Sequence, residues 1–293
     1  MKSCDLLVIG HVSKDFNIAP DAEERSIGGA VVYSSVAAKR AGAEVLALTK
    51  VAEADMPTLE IFGRHGVPVI GRPSSATTSI RNTYHTADRE RRTCEALSIA
   101  DPFSQADVPD DLDVGVYYLG GLIKGEFSES LVMALAELGP VAVDVQGFLR
   151  VSEGGAMSFR DWAEKRDVLP SIALLKTDAA EAEVLTGETD LERAAAMLRA
   201  WGAAEVMITH NDGVRVLSAD GLAWAPFTAR NLSGRTGRGD TCFASYCAWR
   251  RGHSPAAACR FAAALTSLKM ETPGPFAGSV DDVLRAIDER YDA

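Results

Sequence analysis

The chain lacks the marks of several large protein classes. Its longest uncharged stretch, Ser26 to Ala38, falls far short of the ~20 apolar residues that a membrane-spanning helix needs. The opening Met1–Asp5 leads into only a short apolar run, Leu6–Ile9, too brief for the core of a secretory signal, and reads as a first buried strand. The five cysteines (Cys4, Cys94, Cys242, Cys247, Cys259) are odd in number and contain no CxxC pair. That argues against a disulfide framework or a zinc site and for reduced thiols in a cytoplasmic protein. The five histidines are scattered with no HxxxH pair, so a histidine metal cage is not expected. Positive charge is scarce: 30 Lys and Arg face 41 Asp and Glu, a formal charge of −11. Such a surface repels phosphate backbones and anionic lipid, so neither nucleic acid nor membrane is an expected partner. Any phosphate-bearing ligand must be held by local groups.

Two nucleotide-binding signatures are missing as well. The five residues after Gly10 contain no glycine, which excludes the Gly-x-Gly-x-x-Gly turn of a dinucleotide-dependent oxidoreductase. No Gly-x4-Gly-Lys-Ser/Thr string occurs, which excludes a Walker-type kinase.

What is present is a globular α/β pattern. Hydrophobic residues make up 47% and charged residues 24% of the 293, which rules out intrinsic disorder; the length fits two domains or one large α/β domain. Short apolar runs at Leu6–Gly10, Val45–Val51, Val114–Leu119, Val141–Val145, Ile172–Lys176 and Val206–Thr209 read as buried strands. Amphipathic stretches at Ser128–Leu138, Ala179–Leu185 and Leu191–Trp201 alternate with them. The last third is helical, at Asp240–Arg251, Ala256–Met270 and Val280–Arg290. Repeated βαβ units of this kind predict a doubly wound, mostly parallel sheet flanked by helices, here one α/β domain over residues 1–293. From Thr77 to Ile99 the helical period disappears. Two polar strands joined by the charged run Asp88–Arg92 are expected there, outside the main sheet. With Phe16–Ala19 they form either a small β lid, near residues 11–20 and 77–99, or an ordinary surface hairpin.

The most informative segment is Ser233-Gly234-Arg235-Thr236-Gly237-Arg238-Gly239-Asp240, which opens directly into an apolar helical run. A glycine turn at a helix start can aim successive backbone N–H groups, and the positive end of the helix dipole, at one anion. Asp240 then stands beside that anion hole, able to take a proton from an attacking hydroxyl. Read from the residues alone, Asp240 is equally a helix N-cap and the glycines a tight turn.

This segment resembles the final motif of the ribokinase-like (PfkB) carbohydrate kinases, Asp-Thr-x-Gly-Ala-Gly-Asp running into a helix. Gly237, Gly239 and Asp240 match; Gly234 and Arg235 replace the leading Asp-Thr, and Arg238 replaces the small residue between the glycines. The resemblance implies that Asp240 is the catalytic base and that the backbone at Gly237, Arg238 and Gly239 forms the anion hole. Upstream, Gly28-Gly29-Ala30-Val31-Val32-Tyr33-Ser34-Ser35 is similar to the family's Gly-Gly-x-x-x-Asn-x-Ala, with Tyr33 for Asn and Ser35 for Ala. Asp15, in Gly10-His11-Val12-Ser13-Lys14-Asp15, stands where the family's Asp binds substrate hydroxyls. By resemblance, Asp15, Gly28, Gly29 and Tyr33 bind the acceptor.

The string Lys176-Thr177-Asp178-Ala179-Ala180-Glu181 resembles the family's Asn-x-x-Glu motif, with Asp178 for Asn. It implies an ATP and Mg²⁺ site at Asp178 and Glu181, with Glu181 reaching the metal through water; on local grounds the same string is a helix cap with an acidic first turn. Thr209 and Gly213 resemble the strand-end loop beneath the nucleotide, and Gly274 lies in the region beside the adenine. The strings Asp144–Arg150 and Ser267–Phe276 resemble the cyclitol and nucleoside kinase branch. The expected activity is therefore phosphoryl transfer from ATP to a hydroxyl of a small sugar, cyclitol or nucleoside. A homodimer clasped through the lid is the family analogy. The alternative is a ribokinase-fold ligand sensor or regulatory subunit without catalysis.

Overall fold

The computed structural model describes residues 2–19, 22–85 and 92–291. In chain order the strands are β1 (Lys2–Ile9), β2 (Ser13–Ala19), β3 (Ala22–Gly28), β4 (Val45–Val51) and β5 (Val69–Pro73). Then come β6 (Thr78–Tyr84), β7 (Arg92–Ser98), β8 (Leu112–Gly120), β9 (Val141–Asp144) and β10 (Arg150–Glu153). The last are β11 (Ala156–Phe159), β12 (Leu174–Asp178), β13 (Glu205–Thr209), β14 (Gly213–Ser218) and β15 (Gly221–Pro226).

Among the described residues, nine strands form the main sheet in the order β15-β14-β13-β12-β9-β8-β1-β4-β5. Every pair from β13 to β5 is parallel, and β14 and β15 close one edge antiparallel. The apolar runs are continuous because both faces are covered. In β1, Leu6 and Val8 pack on one layer with Val31, Val36, Phe243 and Phe261. Leu7 and Ile9 pack on the other with Leu131, Leu135 and Leu198. The first layer is built on the helices Ala30–Arg40, Arg238–Arg250 and Pro255–Met270, and the second on Glu129–Ala136, Ala179–Thr186 and Leu191–Ala200. The doubly wound architecture expected from the sequence is what forms. Strand order reverses around β1, and the crevice beyond the carboxyl ends of β1 and its neighbours is where ligands bind in open α/β sheets.

The non-periodic segment folds as part of a second sheet, which is larger than expected: six strands in the order β10-β11-β7-β6-β2-β3. The β6–β7 pairing is antiparallel, while β2 pairs parallel to β6. Most of the charged run assigned to the turn, Asp88–Arg91, lies outside the described residues. Strands β3, β10 and β11 were not foreseen, because Glu23, Glu24 and Arg25 give β3 the look of a charged loop. It is an exposed outer strand, where charge discourages pairing with another chain. The second sheet is tied to the first at His11, which is buried between β1 and β2. The His11 N–H donates to Glu126 Oε1 at 2.5 Å, and its ring nitrogens lie 3.1 Å from Thr78 Oγ1 and 3.0 Å from the Asp101 carbonyl. Glu126 also accepts the Leu122 N–H at 2.7 Å, so this buried carboxylate is satisfied by two backbone donors.

Gly29 caps the helix Ala30–Arg40 at φ 99° and ψ 152°, a conformation open essentially to glycine alone. A Cβ there would stand 2.4 Å from the His11 carbonyl oxygen. Gly29→Ala is therefore expected to lose about 1–3 kcal/mol of stability, read from the urea midpoint. Gly63→Ala, where a Cβ meets nothing within 4 Å, serves as the neutral comparison. Equal midpoints for the two variants would refute this account of Gly29.

Candidate active site

The helix Arg238–Arg250 begins on Gly237 in the left-handed conformation, φ 75°. The Tyr33 ring is the reason for glycine here, since a Cβ would lie 2.3 Å from it. The Thr241 N–H returns to the Gly237 carbonyl at 2.9 Å, and the Arg238 N–H closes the turn on the Arg235 carbonyl at 3.1 Å. Of the three amides assigned to the anion hole, that of Arg238 is thus occupied within the turn, and the glycine amides flank it. The Arg238 side chain is half-buried; its Nη1 donates to Asn211 Oδ1 at 3.0 Å, and its guanidinium lies 5.7 Å from the Phe227 ring centroid.

Asp240, in the first turn, is half-buried and faces a dense set of charges. Burial, and then the carboxylate of Asp144, push its pKa up to about 6, against the pull of Lys176, Arg150 and Lys269. Its backbone is held from behind by Ser34, whose Oγ lies 3.4 Å from the Asp240 carbonyl oxygen and 2.9 Å from the buried Tyr118 hydroxyl.

Beneath the turn lies Lys176, 5% exposed, from the end of β12. Its Nζ donates to both oxygens of Asp144, at 3.1 and 3.0 Å, and sits 3.7 Å from Glu181 Oε2. A Cβ on Gly239 would lie 3.2 Å from that Nζ, so the helix can start over the ammonium because position 239 is glycine. Burial disfavours the charge on Lys176, but the carboxylates of Asp144, Glu181, Asp178 and Asp240 outweigh it and hold the amine protonated. Burial likewise raises Glu181, to about 7, against Lys176.

Asp178 and Glu181 form a complete capping box on the helix Ala179–Thr186. Asp178 Oδ1 accepts the Glu181 N–H at 2.9 Å and Glu181 Oε2 accepts the Asp178 N–H at 2.8 Å. The local capping reading of this string is thus realised in the structure. Direct magnesium binding does not fit these residues: Lys176 already pairs with Asp144 and lies 3.7 Å from Glu181, and among the described residues no group of three His, Cys, Asp or Glu could hold a metal ion.

On the acceptor side, Asp15 of β2 sits over Gly28, where a Cβ would be 2.6 Å from Asp15 Oδ2. Tyr33 is half-buried and stands between two carboxylates: burial, then Asp15 and Asp240, push its phenol up to about 12. Asp15, Gly28, Gly29, Tyr33, Gly237 and Asp240 are thus brought together. Thr209 is buried at the end of β13. Gly213 is in the β14–β15 ladder, where a Cβ would lie 2.3 Å from the Ala225 carbonyl, so backbone contact already explains that glycine. Gly274 adopts φ 84° in the loop after the helix Pro255–Met270. The sequence reading assigned no role to Lys176, Asp144 or Lys269. Lys176 stood two residues before the motif aspartate, and the other two lay inside strings noted only as resemblances.

A model of the pfkB family of carbohydrate kinases matches residues 4–281. The chain belongs to this family and is a phosphotransferase acting on a hydroxyl group. It is 34% identical, with a TM-score of 0.86, to a pyrophosphate-dependent kinase in the ribokinase family complexed with a pyrophosphate analog and myo-inositol; the match covers 96% of this chain and 99% of that one. A sulfate complex of a pyrophosphate-dependent kinase in the same family is 36% identical, with a TM-score of 0.87, over 96% and 100% of the two chains. A cytidine kinase of Thermococcus kodakarensis is 27% identical over 80% of this chain and 84% of its own. No helix among the described residues is long and apolar enough to cross a membrane.

A base with a pKa near 6 has a definite pH signature. Acceptor-dependent kcat/KM is expected to rise tenfold per pH unit up to about pH 6 and then level off. Stability runs the other way. An acid whose pKa is raised by folding binds protons more tightly in the native state, so its charge costs stability as pH rises from the unfolded value through about 6. Asp240→Asn at pH 7.5 should therefore melt no lower than the wild type while losing turnover. A clear drop in Tm would mean that Asp240 serves the fold instead.

Proposed function

We propose that this kinase transfers a phosphoryl group from inorganic pyrophosphate to one hydroxyl of a cyclitol of the myo-inositol type. The observation that carries the donor assignment is the pair of arginines on the anion-hole turn. Arg235 and Arg238 stand where the family pattern has Thr and a small residue. Burial, and then the charge of Arg235, lower the pKa of Arg238, so an anion bound beside this turn would favour both cations. A compact diphosphate supplies that anion without a nucleoside. The acceptor assignment is supported by the likeness to a pyrophosphate-dependent kinase complexed with myo-inositol, and by Tyr33 in place of the Asn of the family pattern.

In this reading the acceptor hydroxyl is held by Asp15 between Tyr33 and Asp240. Asp240 takes its proton as the oxygen attacks the terminal phosphorus in line. The bridging P–O bond breaks, and orthophosphate leaves toward Arg235 and Arg238. The amides of Gly237 and Gly239 and the helix dipole meet the charge on the transferring group. The second sheet covers the acceptor and limits water attack on the donor. Magnesium enters as the donor's counter-ion, held by phosphate oxygens and water; no step is assigned to a metal on the protein.

The test follows phosphorylated product from magnesium pyrophosphate or magnesium ATP, each offered with myo-inositol, ribose and cytidine. Pyrophosphate with myo-inositol should be the productive pair, and Asp240→Asn should cut its turnover by about 10²–10⁴-fold. Arg238→Ala should raise KM for pyrophosphate and leave KM for the acceptor nearly unchanged. Turnover with ATP and none with pyrophosphate would overturn the donor assignment, and turnover only with cytidine would overturn the acceptor.

A further inference from the structure

Lys269, from the last turn of the helix Pro255–Met270, is completely buried, and its ammonium points into the loop that leads to the anion hole. It donates to the carbonyls of Gly234 and Thr236 and lies 5.2 Å from the centroid of the Tyr33 ring. A buried ammonium is costly unless it is well partnered, so its placement calls for a reason. Among the described residues its hydrogen-bond partners are the main-chain oxygens of the loop, beside an aromatic face and with the charge of Asp240 close by.

The loop is shaped to receive it. The Gly234 N–H donates to the Met270 carbonyl at 2.8 Å, and a Cβ at 234 would fall 1.8 Å from the Thr272 carbonyl oxygen. The backbone therefore lies directly on the helix end, in a way that the Asp of the family pattern could not. The carbonyls of Gly234 and Thr236 turn inward to the ammonium, and the chain then passes to Gly237 and the amides that follow.

We infer that Lys269 is a positioning residue for phosphoryl transfer: its ammonium is a built-in cation that gathers the loop carbonyls and thereby aims the amides of Gly237 and Gly239 at the donor. This rests on the reading of that turn as the donor end of the cleft. The role is electrostatic, so a side chain of the same size without the charge keeps the packing and loses the aim.

Lys269→Met supplies such a side chain, and Lys269→Ala leaves a cavity that n-propylammonium can enter. Lys269→Met should stay folded but melt lower than the wild type, because the carbonyls of Gly234 and Thr236 lose their donor. It should lose tenfold or more in kcat/KM for the donor with KM for the acceptor unchanged. Lys269→Ala should regain at least tenfold in turnover on addition of n-propylammonium, whereas Lys269→Met and Asp240→Asn should not respond. A Lys269→Met variant with a sharply lowered Tm and donor kinetics within twofold of wild type would overturn the inference, as would a folded Lys269→Ala indifferent to the amine. Wild type is run in parallel with both donors. Its silence would defeat the reading of the donor end, whereas an active wild type beside an unaffected Lys269→Met would defeat the role of Lys269 alone.

Discussion

Burial and charge conflict where β9 and β12 end. Asp144, Lys176 and Glu181 are each less than a tenth exposed, and an ammonium without partners could not stay charged there. Lys176 resolves the conflict by bridging Asp144 and Glu181, and the rest of the site is arranged around that ammonium. The helix carrying Asp240 starts directly above it, where glycine at 239 leaves the ammonium room. Asp144 faces Asp240 as a like charge, and Lys176 partly offsets it, which leaves the Asp240 carboxyl with a pKa of about 6. A buried ion pair of this sort adds little net stability compared with apolar packing. Its value here lies in geometry and in the potential it sets at Asp240.

The departures from the family pattern come as matched sets of large and small. Tyr33, in place of Asn, presses on Gly237; Gly234, in place of Asp, leaves room for the helix end and turns its carbonyl to Lys269; Lys269 in turn lies under the Tyr33 ring. Together they build a loop held by an internal cation and an aromatic face. Arg235 and Arg238 are exceptions to this packing logic, since they add charge rather than fill space.

The secondary structure of the core was legible because fully buried parallel strands are apolar without interruption. Val45–Val51 and Val280–Arg290 form with the expected bounds, and the helix expected from Asp240 begins two residues earlier, at Arg238. Strands in the second sheet were harder to see. Glu23, Glu24 and Arg25 of β3 meet solvent, so their pattern is that of a loop, and the pairing that makes them a strand comes from β2. Strands β14 and β15 lie at the edge of the main sheet, where part of each face is exposed and the apolar signal is diluted.

Sequence alone determined the family and the doubly wound sheet and pointed to Asp240, because these rest on local patterns: apolar period, glycine spacing and one aspartate at a helix start. It also contained both readings of Asp178-x-x-Glu181 and could not choose between them, since a capping box and a polar ligand pair use the same residues. Tertiary structure decided what those residues face. Lys176 and Asp144 are 32 positions apart, and Lys269 is 35 from Gly234. Contacts over such distances are set by how strands and helices stack, and no local pattern records them.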